Sequence, residues 1–252
     1  SFLKGYNDPR LKSYFNAAQD GRDNDGNITQ TVAGVKQLTS IEGKFKGVRQ
    51  GTGVGDNRYS THSRTTITTS SKIIVMAAAE IWFLRAEAAL RGFTSEDVES
   101  CYKQGVTTSF AQWDASGVSE YLESENTPAD YVDTFDKNFD AKATTSITPK
   151  WDNAADNETK LERIITQKWL AIYPEGCEAW AEQRRTGYPK LFKVVVNNSS
   201  NAISTDDMIR RVFFNQDYIT NNKPLYDALV SKLGGLDTGG TRLWWDTGKN
   251  NF

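Results

Sequence analysis

The chain has 252 residues, 25% charged and 38% hydrophobic, with a formal net charge of −2 at pH 7. That length buries a core without staples, and a near-neutral charge without a basic stripe argues against a nucleic-acid partner. A single histidine excludes a His-rich metal site, and the lack of any run of 18 apolar residues excludes a spanning helix.

Residues 1–71 read as a loop-rich segment. "DGRDNDGN" (20–27) and "GKFKGVRQGTGVGDN" (43–57) are rich in turn formers, and "RTTITTSS" (64–71) is extended. Asp23, Asp25 and Gly26 stand at EF-hand offsets. Gly21 and Val32, however, occupy the first and twelfth positions, where Asp and Glu are required. No EF-hand is expected, a solvated turn is the preferred reading, and a looser loop Ca2+ site stays open. "GTGVGD" (51–56) lacks the spacing and the strand-to-helix context of a dinucleotide site. His62, within "NRYSTHSR", reads as an exposed loop histidine without a triad partner.

Helical periodicity begins at Lys72 and runs to Arg91, with apolar residues at 73, 77, 81, 84 and 88. Ser71 is its expected cap, Glu87 pairs with Arg91 one turn on, and Gly92 stands at C′. The stretch "TSEDVESCYKQGVTTSFAQW" opens on a Thr94-x-x-Asp97 capping-box pattern. Its apolar and small residues fall at 98, 101, 102, 105, 106, 109 and 110. The short connection makes 72–113 an antiparallel helical hairpin. In the polar insert 114–158, Thr127 and Pro128 predict a short helix.

A second hairpin is expected over 159–187. Thr159-x-x-Glu162 forms its capping box, and Ile165, Trp169, Ile172 and Tyr173 share one face. Pro174 is read as N1 of the next helix, with Cys177, Trp180, Ala181 and Arg184 on one side and Gly187 closing it. The extension 188–252 combines an extended piece around "RRVFFNQDY", a helix near 224–233 closed by Gly234-Gly235, and Trp244 and Trp245 pinning the end to the helices. The whole reads as a mainly α fold of tetratricopeptide-like hairpins with long irregular loops. Cys101 and Cys177 are both placed where a helix buries them, with a disulfide between them left open.

Three stretches resemble one family, the SusD/RagB-type nutrient-binding outer-membrane lipoproteins of Bacteroidetes. "AAEIWFLRAEAALRGF" (78–93) is similar to the family's Ala-Glu-x-x-Phe-Leu-x-Ala-Glu-Ala helix with its Arg-Gly end. "TQKWLAIYPEGCEAWAEQRRTGYPKL" matches its Gln-Lys-Trp, Glu-Ala-Trp and Arg-Arg-Thr-Gly-Tyr-Pro sequence. "RRVFFNQDYITN" and "GGLDTGGTRLWWD" resemble its tail, with Phe214 where proline is usual and Asp217 where Glu is usual. The resemblance implies the C-terminal half of a longer protein. Its other half would carry further hairpins and the lipid-modified cysteine, the sole membrane attachment.

That resemblance also implies a non-enzymatic role without cofactor or metal. The protein would sit at the cell surface, bind an oligosaccharide or peptide, and deliver it to a TonB-dependent SusC-like transporter. Ligand contacts are expected from loops, because helix aromatics are assigned to the core: Asn57, Arg58, Tyr59 and His62 before the first hairpin, Trp151 and Asp152 in the insert. Two alternatives stay open. One is a non-ligand-binding scaffold that holds another chain through its hairpins. The other is a carboxylate-dependent glycoside hydrolase, which needs no histidine.

Overall fold

A computed structural model describes residues 1–18, 30–32, 35–37, 44–53, 59–248 and 250–252. Its elements are nine helices among the described residues, with one antiparallel two-stranded ladder, β1 (Gln30–Val32) and β2 (Val35–Gln37), paired Gln30 to Gln37. The turn-rich stretches 20–27 and 54–58 lie outside the described residues, and with them the Ca2+ question.

The first hairpin forms from α3 (Ala78–Leu90) and α4 (Val98–Gln112). Helix α3 starts later than its periodicity predicts. Ser71 is not its cap, because its hydroxyl accepts the Thr68 amide at 2.9 Å in a local turn. The β-branched run that follows is a poor helix start, and Ile73 and Val75 are left 90% exposed. The buried face also differs: Ala79, Glu80, Phe83, Ala86 and Glu87 point inward, while Ile81 and Leu84 face out. A helix apolar nearly all round gives periodicity little to select on. Cations decide instead, with Glu80 3.3 Å from Lys168 and Glu87 2.6 Å from Arg185 and 2.8 Å from Arg91. The expected Glu87–Arg91 pair is present, and Gly92 takes the left-handed conformation at φ 75°.

Helix α4 buries Cys101, Tyr102, Gly105, Val106, Ser109 and Phe110, the face its spacing predicts. Its N-cap is Asp97 itself, whose carboxylate accepts the Ser100 amide at 2.8 Å. A Cβ on Gly105 would meet the Phe83 ring at 2.8 Å, so the absent side chain lets α3 and α4 approach.

Helix α6 (Asn157–Ala171) runs through the middle, buried from Leu161 to Ala171 except for Trp169. Asp156, not Thr159, caps it, accepting the Thr159 amide at 2.7 Å. Lys168 on α6 is almost fully enclosed, with Glu178 and Glu182 each at 3.0 Å. Burial opposes its charge, but the Glu182 charge and the hydrogen bonds to both glutamates outweigh it and raise the ammonium pKa. Those two glutamates sit on α7 (Gly176–Thr186), which begins after a cis Tyr173–Pro174 bond with Glu175 as N-cap, so Pro174 is outside the helix. Gly187 closes α7 at φ 80°. Cys177 is exposed, Cys101 is buried, and both thiols are free.

The N-terminal segment is less irregular than its composition implies. Short helices α1 (Phe2–Gly5) and α2 (Leu11–Tyr14) bracket Arg10, which is fully buried. The insert has no helix at Thr127. Its backbone lies along α1 instead, with the Ala129 amide donating to the Ser1 carbonyl at 3.2 Å and the Ser1 hydroxyl to the Ala129 carbonyl at 2.7 Å. The insert's helical pieces are α5 (Val118–Leu122) and a 3-10 turn at Lys137–Phe139.

In the tail, "RRVFFNQDY" is extended only to Asn215. Then α8 (Gln216–Asn221) and α9 (Lys223–Leu233) follow, the latter closed by Gly234 at φ 69°. Trp245 packs near Arg184, but Trp244 is 91% exposed and pins nothing. The chain end is held by Asn251, whose amide donates to Glu158 at 2.5 Å, and by Phe252, whose ring lies 4.9 Å from the Arg91 guanidinium.

Candidate functional site

Where α6 ends, an open cavity of about 630 Å³ forms between α1, α2, the start of α7 and the irregular stretches 45–47, 130–132 and 190–192. Its wall is aromatic: Phe2, Phe15, Phe45, Trp169, Tyr173 and Phe192. Trp169 lies in the last turn of α6, and Tyr173 follows just past its C-cap Ile172. The Trp169 ring packs on Phe2 at 5.6 Å between centroids, and Tyr173 stacks on Tyr14 at 4.8 Å. Both stay half-exposed, so each is supported from behind and open in front.

Polar groups rim this wall. The Tyr173 hydroxyl donates to Thr65 at 2.7 Å. Tyr131 donates to Asp133 at 2.7 Å, and burial together with that bond raises its phenol pKa. Burial depresses the Lys46 ammonium pKa, and the neighbouring charges of Lys4 and Lys44 add to the effect. The carboxylates at the rim are Asp130, paired with Lys142 at 2.7 Å, and Glu175 at the α7 N-cap. Rigid aromatic faces beside hydroxyls, lysines and carboxylates suit a ligand with apolar faces and hydrogen-bonding edges.

The loop residues expected to bind are placed differently. Asn57 and Arg58 lie outside the described residues. The Tyr59 hydroxyl donates to Asp133 at 3.1 Å, and its ring packs 5.1 Å from His62. His62 is buried rather than exposed. Its Nε2 is 3.0 Å from the Thr134 hydroxyl, its ring packs on Phe135, and burial lowers its pKa. Trp151 belongs to the core, packed 5.1 Å from Tyr102 with its Nε1 donating to Asn153, and Asp152 is exposed beside it. Tyr59 and His62 thus form one cluster, and Trp151 lies in another. Of the described residues 59–71, only Ser63 lines the aromatic cavity. Missing from that expectation are Phe2, Phe15, Phe45, Trp169, Tyr173 and Phe192. For Trp169 and Tyr173, the available signal was two aromatic residues four apart just ahead of Pro174.

Among the described residues, no helix is long and apolar enough to cross a membrane, and no group of three acidic, His or Cys side chains is placed to hold a metal. Helical hairpins around a central buried helix, with an open aromatic cavity at its end, define a mainly α, tetratricopeptide-like protein. The chain belongs to the SusD-like family of SusD and RagB outer membrane lipoproteins, whose profile matches residues 1–246. Its structure is similar to that of a SusD homologue from Bacteroides vulgatus, at 48% identity and TM-score 0.85 over 99% of this chain and 48% of that one. A chitin-binding SusD homologue from Flavobacterium johnsoniae shares 40% identity at TM-score 0.84, covering 100% of this chain and 49% of that one. A SusD homologue from Bacteroides thetaiotaomicron shares 34% identity at TM-score 0.82, over 99% and 51%. The chain therefore spans about half the length of these relatives. No curated protein matches it.

Proposed function

We propose that this chain is part of a cell-surface oligosaccharide-binding protein, lipid-anchored at the outer membrane, that hands its ligand to a TonB-dependent SusC-like transporter without chemical turnover. The observation that carries the binding role is the aromatic cavity, where Trp169 and Tyr173 present supported faces to a space of about 630 Å³. Pyranose rings have apolar faces that stack on such side chains, and their hydroxyls bond polar rim groups. Family membership and the 40% identical chitin-binding homologue support this reading and make chitin oligosaccharides the first ligands to test. Asn57, Arg58, Tyr59 and Asp152 remain candidates for hydroxyl contacts.

Calorimetry with chitin oligosaccharides and a panel of other glycans, with chromatography of the products, tests the proposal. Saturable binding without cleavage is expected. Trp169→Ala should weaken it by roughly 3- to 10-fold, the worth of one aromatic contact. Cleavage would establish a hydrolase instead. Binding that is indifferent to Trp169 and Tyr173 substitutions would move the ligand elsewhere. Co-purification with the transporter tests the delivery step.

A further inference from the structure

Five charged side chains line the aromatic cavity: Lys4, Lys46, Lys190, Asp130 and Glu175. Two of them are matched by neighbours, Lys190 by Glu162 at 2.9 Å and Asp130 by Lys142 at 2.7 Å. The other three are not. Among the described residues, Lys4, Lys46 and Glu175 have no ion-pair partner.

The two lysines stand beside the aromatic wall and near each other. Lys4 is on α1 with Phe2, the ring that backs Trp169, and Lys46 follows Phe45. After burial, the charges of Lys4 and Lys44 are what lower the Lys46 pKa. Lys46 is half-buried and its backbone is fixed: its amide donates to the Ser63 hydroxyl at 3.0 Å, and its carbonyl accepts the Ser63 amide at 2.9 Å. Asp133 and Asp140 act in its favour from beyond ion-pair reach, and both are engaged elsewhere. Asp133 accepts from Tyr59, Tyr131 and two backbone amides, and Asp140 accepts the Asp133 amide. A half-buried cation beside a second cation, with no carboxylate in contact, is short of counter-charge. Glu175 stands on another wall, at the N-cap of α7.

Resting on the glycan-binding reading of this cavity, we propose that its preferred sugar is an acidic pyranose, carrying a carboxylate or a sulfate, with that group held by Lys4 and Lys46. The aromatic rings take the apolar face of the sugar. The ammonium groups donate charge-assisted hydrogen bonds to the acidic group and supply what each other lacks, a shared counter-charge. An ammonium is a compact charge with three rotatable donors, so it serves a planar carboxylate and a tetrahedral sulfate alike. Glu175 accepts sugar hydroxyls and repels an acid, which turns the acidic group toward the lysines. Stacking needs neither lysine, so charge selects among sugars that the rings alone would hold equally.

The test is calorimetry at constant ionic strength with two matched pairs, trigalacturonate against its methyl ester and 3′-sulfolactose against lactose, plus chitotriose as a further neutral probe. In at least one pair the acidic member should bind roughly 10-fold more tightly, and which pair does so separates carboxylate from sulfate. Lys46→Met and Lys4→Met should each cut that advantage by roughly 3-fold and leave neutral affinities within about 2-fold, whereas Lys46→Arg should retain it. Lys4 is exposed, so its substitution keeps the fold even where that of Lys46 does not. Raising the salt concentration should shrink the advantage and leave the neutral affinities as they are. Neutral sugars that bind as tightly as their acidic partners, or an advantage indifferent to both lysines, would overturn the proposal and leave the glycan reading standing. Binding of none of the five sugars would remove the glycan reading, and the proposal with it.

Discussion

Replacing Arg10 by Met should cost the fold about 3–5 kcal/mol, the usual effect of breaking a buried ion pair by removing one partner. Arg10 and Asp8 both have fully inaccessible side chains. The guanidinium donates to Asp8 through Nε at 3.0 Å and Nη2 at 2.6 Å, to Ser109 at 2.8 Å, and to Tyr121 and Gln167 at 3.3 and 3.2 Å. It also lies 4.8 Å from the Phe110 ring. Burial alone would favour the neutral form, but Tyr121 and Asp8 more than compensate, and the Arg10 pKa rises. Methionine fills much of the same volume, so the loss reports the stranded Asp8 carboxylate and the donor taken from Ser109, not a cavity; Tyr121 and Gln167 keep their bond to each other.

With an m-value of about 2 kcal/mol/M, that loss moves the urea midpoint down by roughly 1.5–2.5 M. Circular dichroism through a urea series measures it. Asp8→Asn combined with Arg10→Met should recover part of the loss, because the uncompensated charge is then gone. A midpoint change below about 0.5 M, equivalent to roughly 1 kcal/mol, would refute the reasoning. It would show that water reaches Asp8 in the variant.

Other outcomes follow from the same packing. Glu87 is held below the ordinary carboxylate range because, although burial alone would raise its pKa, hydrogen bonds from Arg185 and then Arg91 lower it further. A depressed folded pKa stabilises above the unfolded value of about 4.3, and that contribution is lost as pH falls through the folded pKa. Urea midpoints should therefore decline from about pH 4.3 downward, and Glu87→Gln should lower stability at pH 7 and flatten that decline; an unchanged slope would assign it to other groups. In Gly105→Ala, a gain in helix propensity of about 1 kcal/mol opposes overpacking of about 1–3 kcal/mol against Phe83. A net loss in thermal or urea stability is expected, and a more stable variant would mean that the Phe83 ring yields. In the native protein, maleimide should label Cys177 alone, since Cys101 is buried and burial raises its thiol pKa. Mass spectrometry of Cys177→Ser should show no label until urea is added.

Local chemistry was legible wherever a single element decided it. The buried face of α4 follows from small and apolar residues at helical spacing. Gly92, Gly187 and Gly234 end their helices because a positive φ at C′ favours glycine. The first two motif stretches that carry the family resemblance lie largely on these helices, which is why fold class and family could be read without coordinates. Caps were harder, since Asp97 and Asp156 compete with nearby Thr residues and the winner depends on where the chain enters the helix.

What only the tertiary structure decided involves contacts between segments far apart in the chain. The inward face of α3 is set by Lys168 and Arg185, on two other helices, so two glutamates are buried while Ile81 and Leu84 stay out. Arg10, in a segment that reads as loop, is buried because Ser109, Tyr121 and Gln167 converge on it. His62 and Trp151, polar-loop residues by sequence, are enclosed by Phe135 and Tyr102. The aromatic cavity draws on residues from position 2 to position 192. Periodicity reports which residues share a face of one element. It carries no information about which distant segment covers that face, and that covering decides whether an aromatic ring becomes core or wall.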